Sequence, residues 1–367
     1  ISANENLAGT FTIEGNGETT PYTAKLSTGD EGMSKEITVT GTTFTANAPV
    51  YVAIPAGTYN NFTVQFINDD DTLSQRTIRN ALTLKVNNLY NLTFDDKVRD
   101  NEFCFTAHGS CKLQSGGNYK YYTSGMDDWE TFSPDGVQLT AGQKVYFKAA
   151  QAQGGNSSIY VYGGSGKLTV SGNIMYLLDP NGMTNFTDAN INAFESFFQN
   201  MTNLVDASGL ILPATTLASG CYSQMFKGCT SLTAAPNLPA TTLANGCYWC
   251  MFMGCSSLTA APSLPATTLT DNCYQYMFNG CTSLTTAPDL HATTLAGGCY
   301  EMMFNGCSSL GVSTDPITGA KTFVVPNTAI SASVWGSSMF SRTVGGITTP
   351  SDVAGTTYYF YDASQTH

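Results

Sequence analysis

Along residues 1–98, apolar and polar positions alternate with a period of two between clusters of Gly, Pro, Asn and Asp. That is the pattern of half-buried antiparallel strands joined by turns. VYVAIPAGTY, FTVQFINDDDTLSQRTI and ALTLKVNNLYNLTF read as strands, with a hairpin at Asp69–Asp71. The same style returns between 102 and 178, in FCFTA, KLQSG, YKYYTSG, VQLTAGQKVYFKA and SIYVYGGSGKLTVSG. From 212 to 310 the alternation gives way to a tandem repeat. CYSQMFKGCTSLTAAPNLPATTLANG begins at Cys221, CYWCMFMGCSSLTAAPSLPATTLTDN at Cys247, CYQYMFNGCTSLTTAPDLHATTLAGG at Cys273 and CYEMMFNGCSSL at Cys299, a step of 26 residues each time.

Positions 219, 245, 271 and 297 hold Ser, Asn, Asp and Gly, a helix N-cap set, and Gly228, Gly254, Gly280 and Gly306 suit a helix C-terminus. The spacing therefore predicts a helix of about two turns in each repeat. Its inner stripe would be Cys221 with Met225 and Tyr222 with Phe226, and its varying residues would face outward. In SLTAAPNLP, Leu232 and Leu238 share a parity and point inward from a short strand. Pro236 has no N–H to give, so the parallel ladder should be interrupted. A strand–turn–helix–turn unit of this length lies in the leucine-rich range of roughly 20–29 residues. Phe197, Phe198, Met201, Leu204 and Leu210 match the unit at an offset of 28, and Trp335 with Met339 and Phe340 echo it after an insertion. Atypical end units are what a stack needs to cover its terminal apolar faces.

The fold expected is mostly β with short helices: two β-sandwich-like domains followed by a right-handed leucine-rich-repeat α/β solenoid. The boundaries are 1–99, 100–178 and 179–367, with Asp95–Asn101 as a polar linker. Charged residues make up only 11% of the chain, against an ordinary share of about 25%. Residues 201–367 carry 3 basic and 7 acidic side chains, so polarity there comes from Ser, Thr, Asn and Gly. A net charge of -12 argues against nucleic acid as a partner. No apolar run approaches the length of a membrane span. The chain opens at Ile1 and reads as a processed or trimmed form, from which any export signal or lipid anchor has been removed.

The unit CYxxMFxGCTSLTxAPxLPATTLA, over about 190–345, resembles the BspA-like leucine-rich repeats of surface proteins from Bacteroides-type bacteria. The segment from FCFTA to SGNIMYLL is similar to the β domain that often precedes such repeats. VYVAIPAGTYNNFTVQFINDDDTLSQ…LTLKVNNLYNLTF is similar to the C-terminal half of fimbrillin-like domains. The resemblance implies an exported protein, secreted or lipid-anchored at the outer membrane. It would act in adhesion to a host extracellular-matrix protein, a bacterial surface protein or a glycan, and it has no catalytic residues to carry over.

The residues themselves support no catalytic, cofactor or metal site. His108, His291 and His367 are far apart, and no GxSxG, HExxH or EF-hand spacing occurs. Asp69–Asp71 and Asp127, Asp128 and Glu130 read as turn carboxylates, the second group lying beside Trp129 and several Tyr. Eight cysteines (Cys221, Cys229, Cys247, Cys255, Cys273, Cys281, Cys299 and Cys307) recur at two places in the repeat and read as a ladder of buried thiols. Bridges between repeats are the rival reading, and a Cys104–Cys111 bridge is a separate possibility. Two faces are left for binding. One is the hydroxyl-rich row of Thr233, Asn237, Thr259, Ser263, Thr285 and Asp289; the other is an exposed helix row of Trp249, Tyr276 and Met302. The favoured function is non-enzymatic adhesion through the repeats. A fimbria-associated structural subunit and an accessory glycan-binding surface protein are the alternatives.

Overall fold

In the computed structural model the described residues are nine strands within 1–100 and residues 101–367 apart from 116, 124–125, 127, 153–158, 329 and 366–367. The hairpin residues Asp69–Asp71, the linker residues 95–100, Asp127 and His367 therefore lie outside them. The described fold is mostly β with very few helices. It forms two compact units, 1–100 and 101–367.

In the first unit β1(Ser2–Leu7), β2(Phe11–Gly15), β3(Tyr22–Leu26), β4(Ser34–Thr38), β5(Val50–Val52), β6(Gly57–Tyr59), β7(Phe62–Ile67), β8(Leu73–Ile78) and β9(Leu82–Leu84) follow one another. Seven of them make a sheet in the order β5-β2-β3-β4-β1-β7-β8, and β6 pairs with β9. β7 and β8 are antiparallel with Ile67 opposite Leu73.

The second unit opens with β10(Cys104–Ala107), β11(Cys111–Ser115), β12(Tyr119–Thr123), β13(Glu130–Thr131), β14(Val137–Leu139), β15(Lys144–Ala149), β16(Ile159–Gly163) and β17(Leu168–Asn173), then β18(Leu204–Ile211). The order β13-β12-β15-β10-β17-β18 forms one sheet, and β14-β11-β16 another. Phe103, Phe105, Val145, Phe147 and Val170 are buried on the inner side of the first of these, as the alternation requires. β17 pairs in parallel with β18, which is the strand of the first, worn repeat. The sequence divides the chain at 178, but one buried core runs across that point, because this parallel pair fuses the β region to the repeats.

Beyond β18 the parallel ladder continues only as single bridges, Asp206 to Ala234, Ala260 to Thr286 and Leu264 to Leu290. The prolines of each unit remove the donors that a continuous ladder would need.

The two-turn helix expected in each repeat is not formed. Residues 219–228 and their equivalents are a run of turns. Gly220, Gln224 and Gly228 all have φ near the left-handed region (62°, 54° and 75°), as do Gly246, Cys250 and Gly254, then Asn272, Tyr276 and Gly280, then Gly298, Met302 and Gly306. A left-handed residue every fourth position cannot sustain a right-handed helix. The amides instead alternate in role. Ser223, Met225 and Lys227 donate to the carbonyl three residues back, while Tyr222, Gln224, Phe226 and Gly228 donate to Cys247, Trp249, Met251 and Met253 of the next repeat. Half of the amides thus close turns and half join the coils. The caps read from the sequence at 219 and 228 are the neighbours or members of this left-handed series.

Stacking is in register. Phe226, Phe252, Phe278 and Phe304 form a column with ring centroids 5.4, 5.6 and 5.7 Å apart and interplanar angles of 6° or less. Tyr222, Tyr248, Tyr274 and Tyr300 form a second at 5.8, 5.8 and 6.0 Å. Each such pair adds about 0.5–1.5 kcal/mol beyond the area it buries. The worn repeats extend both columns: Phe198 stacks on Phe226 at 5.1 Å and Phe194 on Tyr222 at 5.9 Å. The columns then end on rings at several angles. Phe198 meets Phe103 at 24° and Phe105 at 83°, Phe304 meets Phe360 at 53°, and Tyr300 meets Phe323 and Trp335 at 74° and 75°. The C-terminal closure is β19(Leu310–Ser313), β20(Lys321–Val324), the one short α-helix among the described residues, α1(Ala332–Trp335), and β21(Thr357–Asp362). Tyr300 donates to Trp335 and Phe304 to Met339, so the echoed motif occupies the last coil.

Replacing Gly246 by Ala separates the two local structures. In the first turn of a helix the change would stabilise by roughly 0.5–1 kcal/mol. Here φ is 58° with no neighbour closer than the Trp249 Cβ at 3.9 Å, so the expected outcome is a loss of about 1–2 kcal/mol in urea unfolding. A gain in midpoint would restore the helix.

Candidate functional site

The in-register coils set the surface rows. Thr233, Asn237, Thr259 and Ser263 are exposed, as the alternation of SLTAAPNLP expects, whereas Thr285 and Asp289 are half-buried and Ala287 is buried. The difference lies in the insertion: β20 crosses this end of the row, with Leu290 donating to the Thr322 carbonyl. Asp289 is ion-paired with Lys321 at 2.8 Å and accepts the Thr322 amide at 2.9 Å. Burial pushes its carboxyl upward, but these two partners and the Lys321 charge outweigh that and hold it below the usual carboxylate range. Asp289 is thus a clamp for the insertion. The hydroxyls also serve the stack, since Thr233 Oγ1 donates to the Val205 carbonyl at 2.8 Å and Thr285 Oγ1 to that of Thr259 at 3.3 Å.

A second hydroxyl row escaped the sequence reading. In the recurring ATTL both threonines are exposed: Thr215 and Thr216, Thr241 and Thr242, Thr267 and Thr268, Thr293 and Thr294. Thr216 bridges Thr242 and Thr268 bridges Thr294 in parallel. The signal was the invariant polar pair between the buried Ala240 and Leu243 and their equivalents.

The proposed helix row is not an exposed face. Trp249, Tyr276 and Met302 are half-buried on the turn ribbon, and Ser223 and Cys250, which fall on the same expected outer side, are buried. The reason is the missing helix, because side chains of the turn ribbon do not follow a helical 3.6-residue sweep. Gln275 Nε2 donates to Glu301 across coils at 2.6 Å. Burial, and then the Glu301 charge, raises the Tyr276 hydroxyl.

All eleven cysteines are buried as free thiols. Cys104 and Cys111 lie in different sheets, on β10 and β11, and do not face each other as hairpin partners. Cys229, Cys255, Cys281 and Cys307 donate to the carbonyls of Phe198, Phe226, Phe252 and Phe278 at 3.0–3.1 Å. Burial pushes Cys229, Cys281 and Cys299 up to about 12 and raises the other five ladder thiols as well. A neutral buried thiol is neither nucleophile nor metal ligand. Among the described residues no group of three or more His, Cys, Asp or Glu is placed to hold a metal ion. No helix there is long and apolar enough to cross a membrane. The arrangement offers extended hydroxyl rows on a rigid support, suited to many weak polar contacts.

Compared with known proteins, the chain matches no family model, no curated protein and no solved structure.

Two outcomes test this interior. The ladder thiols bind their protons more tightly folded than unfolded, so their stabilisation is complete below the unfolded thiol value of about 8.5 and is lost as pH rises toward the folded values, by at most about 1.4 kcal/mol per thiol per pH unit. Thermal midpoints should hold between pH 6 and 8 and fall steeply above 9; a flat profile to pH 10 would contradict the ladder. Separately, the Tyr222 and Tyr274 hydroxyls are buried without a hydrogen-bond partner. Because burying an unsatisfied hydroxyl costs about 1–3 kcal/mol, Tyr274→Phe should leave unfolding free energy unchanged or raised. A clear loss would mean that the hydroxyl is satisfied.

Proposed function

We propose that this chain is an exported, non-enzymatic surface protein of the BspA-like leucine-rich type, with a fimbrillin-like β unit ahead of it. Its stacked coils form a right-handed solenoid, and it adheres through the exposed rows of that solenoid. The partner is a host extracellular-matrix protein, a bacterial surface protein or a glycan, engaged without a cofactor. It is secreted, or held at the outer membrane by a lipid anchor.

One observation carries this reading. Thr215, Thr216, Thr241, Thr242, Thr267, Thr268, Thr293 and Thr294 are exposed in register on a support held by backbone bonds between coils. Preordered side chains lose little freedom on binding, and a long repeating surface gains from many weak contacts made together. The buried, protonated thiols and the tyrosine columns supply packing, which fits a binding scaffold better than bond-making chemistry.

The test is surface binding of the full chain to immobilised matrix proteins and bacterial glycans, beside the double variant Thr242→Tyr, Thr268→Tyr. The expected result is saturable binding to at least one of them, weakened about tenfold, or 1.4 kcal/mol, by the variant at unchanged thermal midpoint. Absence of binding across the panel, or a variant that binds as well as the parent, would remove the adhesive reading.

A further inference from the structure

The turn ribbon carries one column of side chains that the repeat does not copy. At its middle left-handed position stand Gln224, Cys250, Tyr276 and Met302, with φ of 54°, 54°, 57° and 49°. Four residues on, the next left-handed position is Gly in each of these coils: Gly228, Gly254, Gly280 and Gly306. Glycine enters that region at little cost, so a different side chain held there in each coil points to a use for those side chains. Two charges converge on this column from its two ends. Lys227, in the coil that begins at Cys221, reaches back to it, its ammonium donating to Gln224 Oε1 at 2.9 Å. Glu301 lies beside it three coils later, accepting from Gln275 Nε2 at 2.6 Å. Three coils are about 14 Å at the usual spacing of paired strands. Between the charges the column holds Cys250 and Tyr276, with Trp249 and Met253 nearby on the same ribbon.

Two features identify the occupant of this face. First, each charge is oriented by a neutral amide and neither is neutralised: among the described residues neither Lys227 nor Glu301 has an ion-pair partner. Asp271, the other carboxylate of these ribbons, serves its own stack, where it accepts the Gly297 amide at 2.9 Å. Second, the signs are antisymmetric about the middle of the stack. A two-fold axis lying along the ribbon, between the coils that begin at Cys247 and Cys273, exchanges the coil of Lys227 with that of Glu301. It also exchanges the outermost coils, in which Glu195 and Arg342 are exposed and again opposite in sign. A second copy laid antiparallel therefore meets each charge with its opposite, twice over, and sets Tyr276 over the coil of Cys250. Such self-complementarity is what an isologous two-fold contact requires. A copy laid parallel would bring like charges together.

We propose that two copies of this chain pair face to face, antiparallel, through the turn ribbon. Lys227 of each copy meets Glu301 of the other, and the half-buried side chains of Trp249, Tyr276 and Met302 close the space between them. The contact uses none of the threonine rows, so it stands apart from the adhesive reading, and pairing doubles the rows offered to a partner.

Analytical ultracentrifugation of the full chain, from dilute solution to about 1 mM, reads the association directly. A monomer–dimer equilibrium weakened by salt is the expected result. Lys227→Glu and Glu301→Lys should each weaken it about tenfold, because each sets like charges together, while circular dichroism shows the fold kept. Mixed in equal amounts, the two single variants should associate with one another as tightly as the parent does with itself, since every like pair becomes an opposite pair. The double variant Lys227→Glu, Glu301→Lys should regain the parent's association for the same reason, and the threonine double variant should dimerise as the parent does. A chain that stays monomeric, a dimer indifferent to both single variants, or a mixture no tighter than its components would each overturn the proposal.

Discussion

Everything in the second unit depends on half of the turn-ribbon amides pointing out of their own coil and into the next. Tyr222, Gln224, Phe226 and Gly228 reach Cys247, Trp249, Met251 and Met253, and the next coil repeats the arrangement. The other amides close turns within the coil, so the backbone polar groups of a buried segment are met without either a helix or a continuous sheet. The residues that make this possible are the left-handed ones at every fourth position. Two of the three in each coil are Gly, or Asn at 272, which enter that region at little cost. The middle one (Gln224, Cys250, Tyr276 or Met302) is strained by its side chain, and the coil-to-coil bonds hold it there.

That backbone register dictates the interior. Identical side chains fall on top of one another, so rings become columns and thiols become ladders. Phe and Tyr suit such columns because flat faces fill the space between coils without voids, and Cys suits the tight places because its sulfur is small and its S–H finds a carbonyl. The same logic makes the ends a problem, since an unpaired coil would leave both rings and amides uncovered. At one end Phe103 and Phe105 of the β region cover the Phe column. At the other, Phe323, Trp335 and Phe360 cover both columns. The Asp289–Lys321 pair pins the insertion that brings Phe323 into place.

The register also explains why the surface is bland where the repeats are and charged where they are not. In a stack each exposed position is multiplied by the number of coils, and a charge repeated at coil spacing would repel itself. Thr and Ser avoid this and can bond to the neighbouring coil's carbonyl, as Thr233 and Thr293 do. The β region is not repeated, so it is free to gather Lys120, Lys144 and Lys148 on one side. Two surfaces with different chemistry thus sit on one continuous core.

Much of this was legible in the residues alone. The 26-residue step, the burial of Leu232, Leu238 and their equivalents, the outward Thr233 and Thr259, and the echo of the motif at Trp335 all follow from periodicity, which is local. The turn ribbon was not legible as such, because an N-cap residue such as Ser219 followed by a glycine such as Gly228 fits a capped helix as well as it fits a left-handed series. Only the bonds between coils, made by residues about 25 apart, decide between them. Nor could spacing show that Asp289 would be taken by Lys321, or that Lys120 would lie opposite Lys148, since each pair is brought together by chain returning from 28 or more residues away. Periodicity specified what is repeated and what is buried; the partners of each strand and coil, and hence which side chains share a face, were settled by tertiary pairing, because hydrogen bonds between segments carry no mark in the segments themselves.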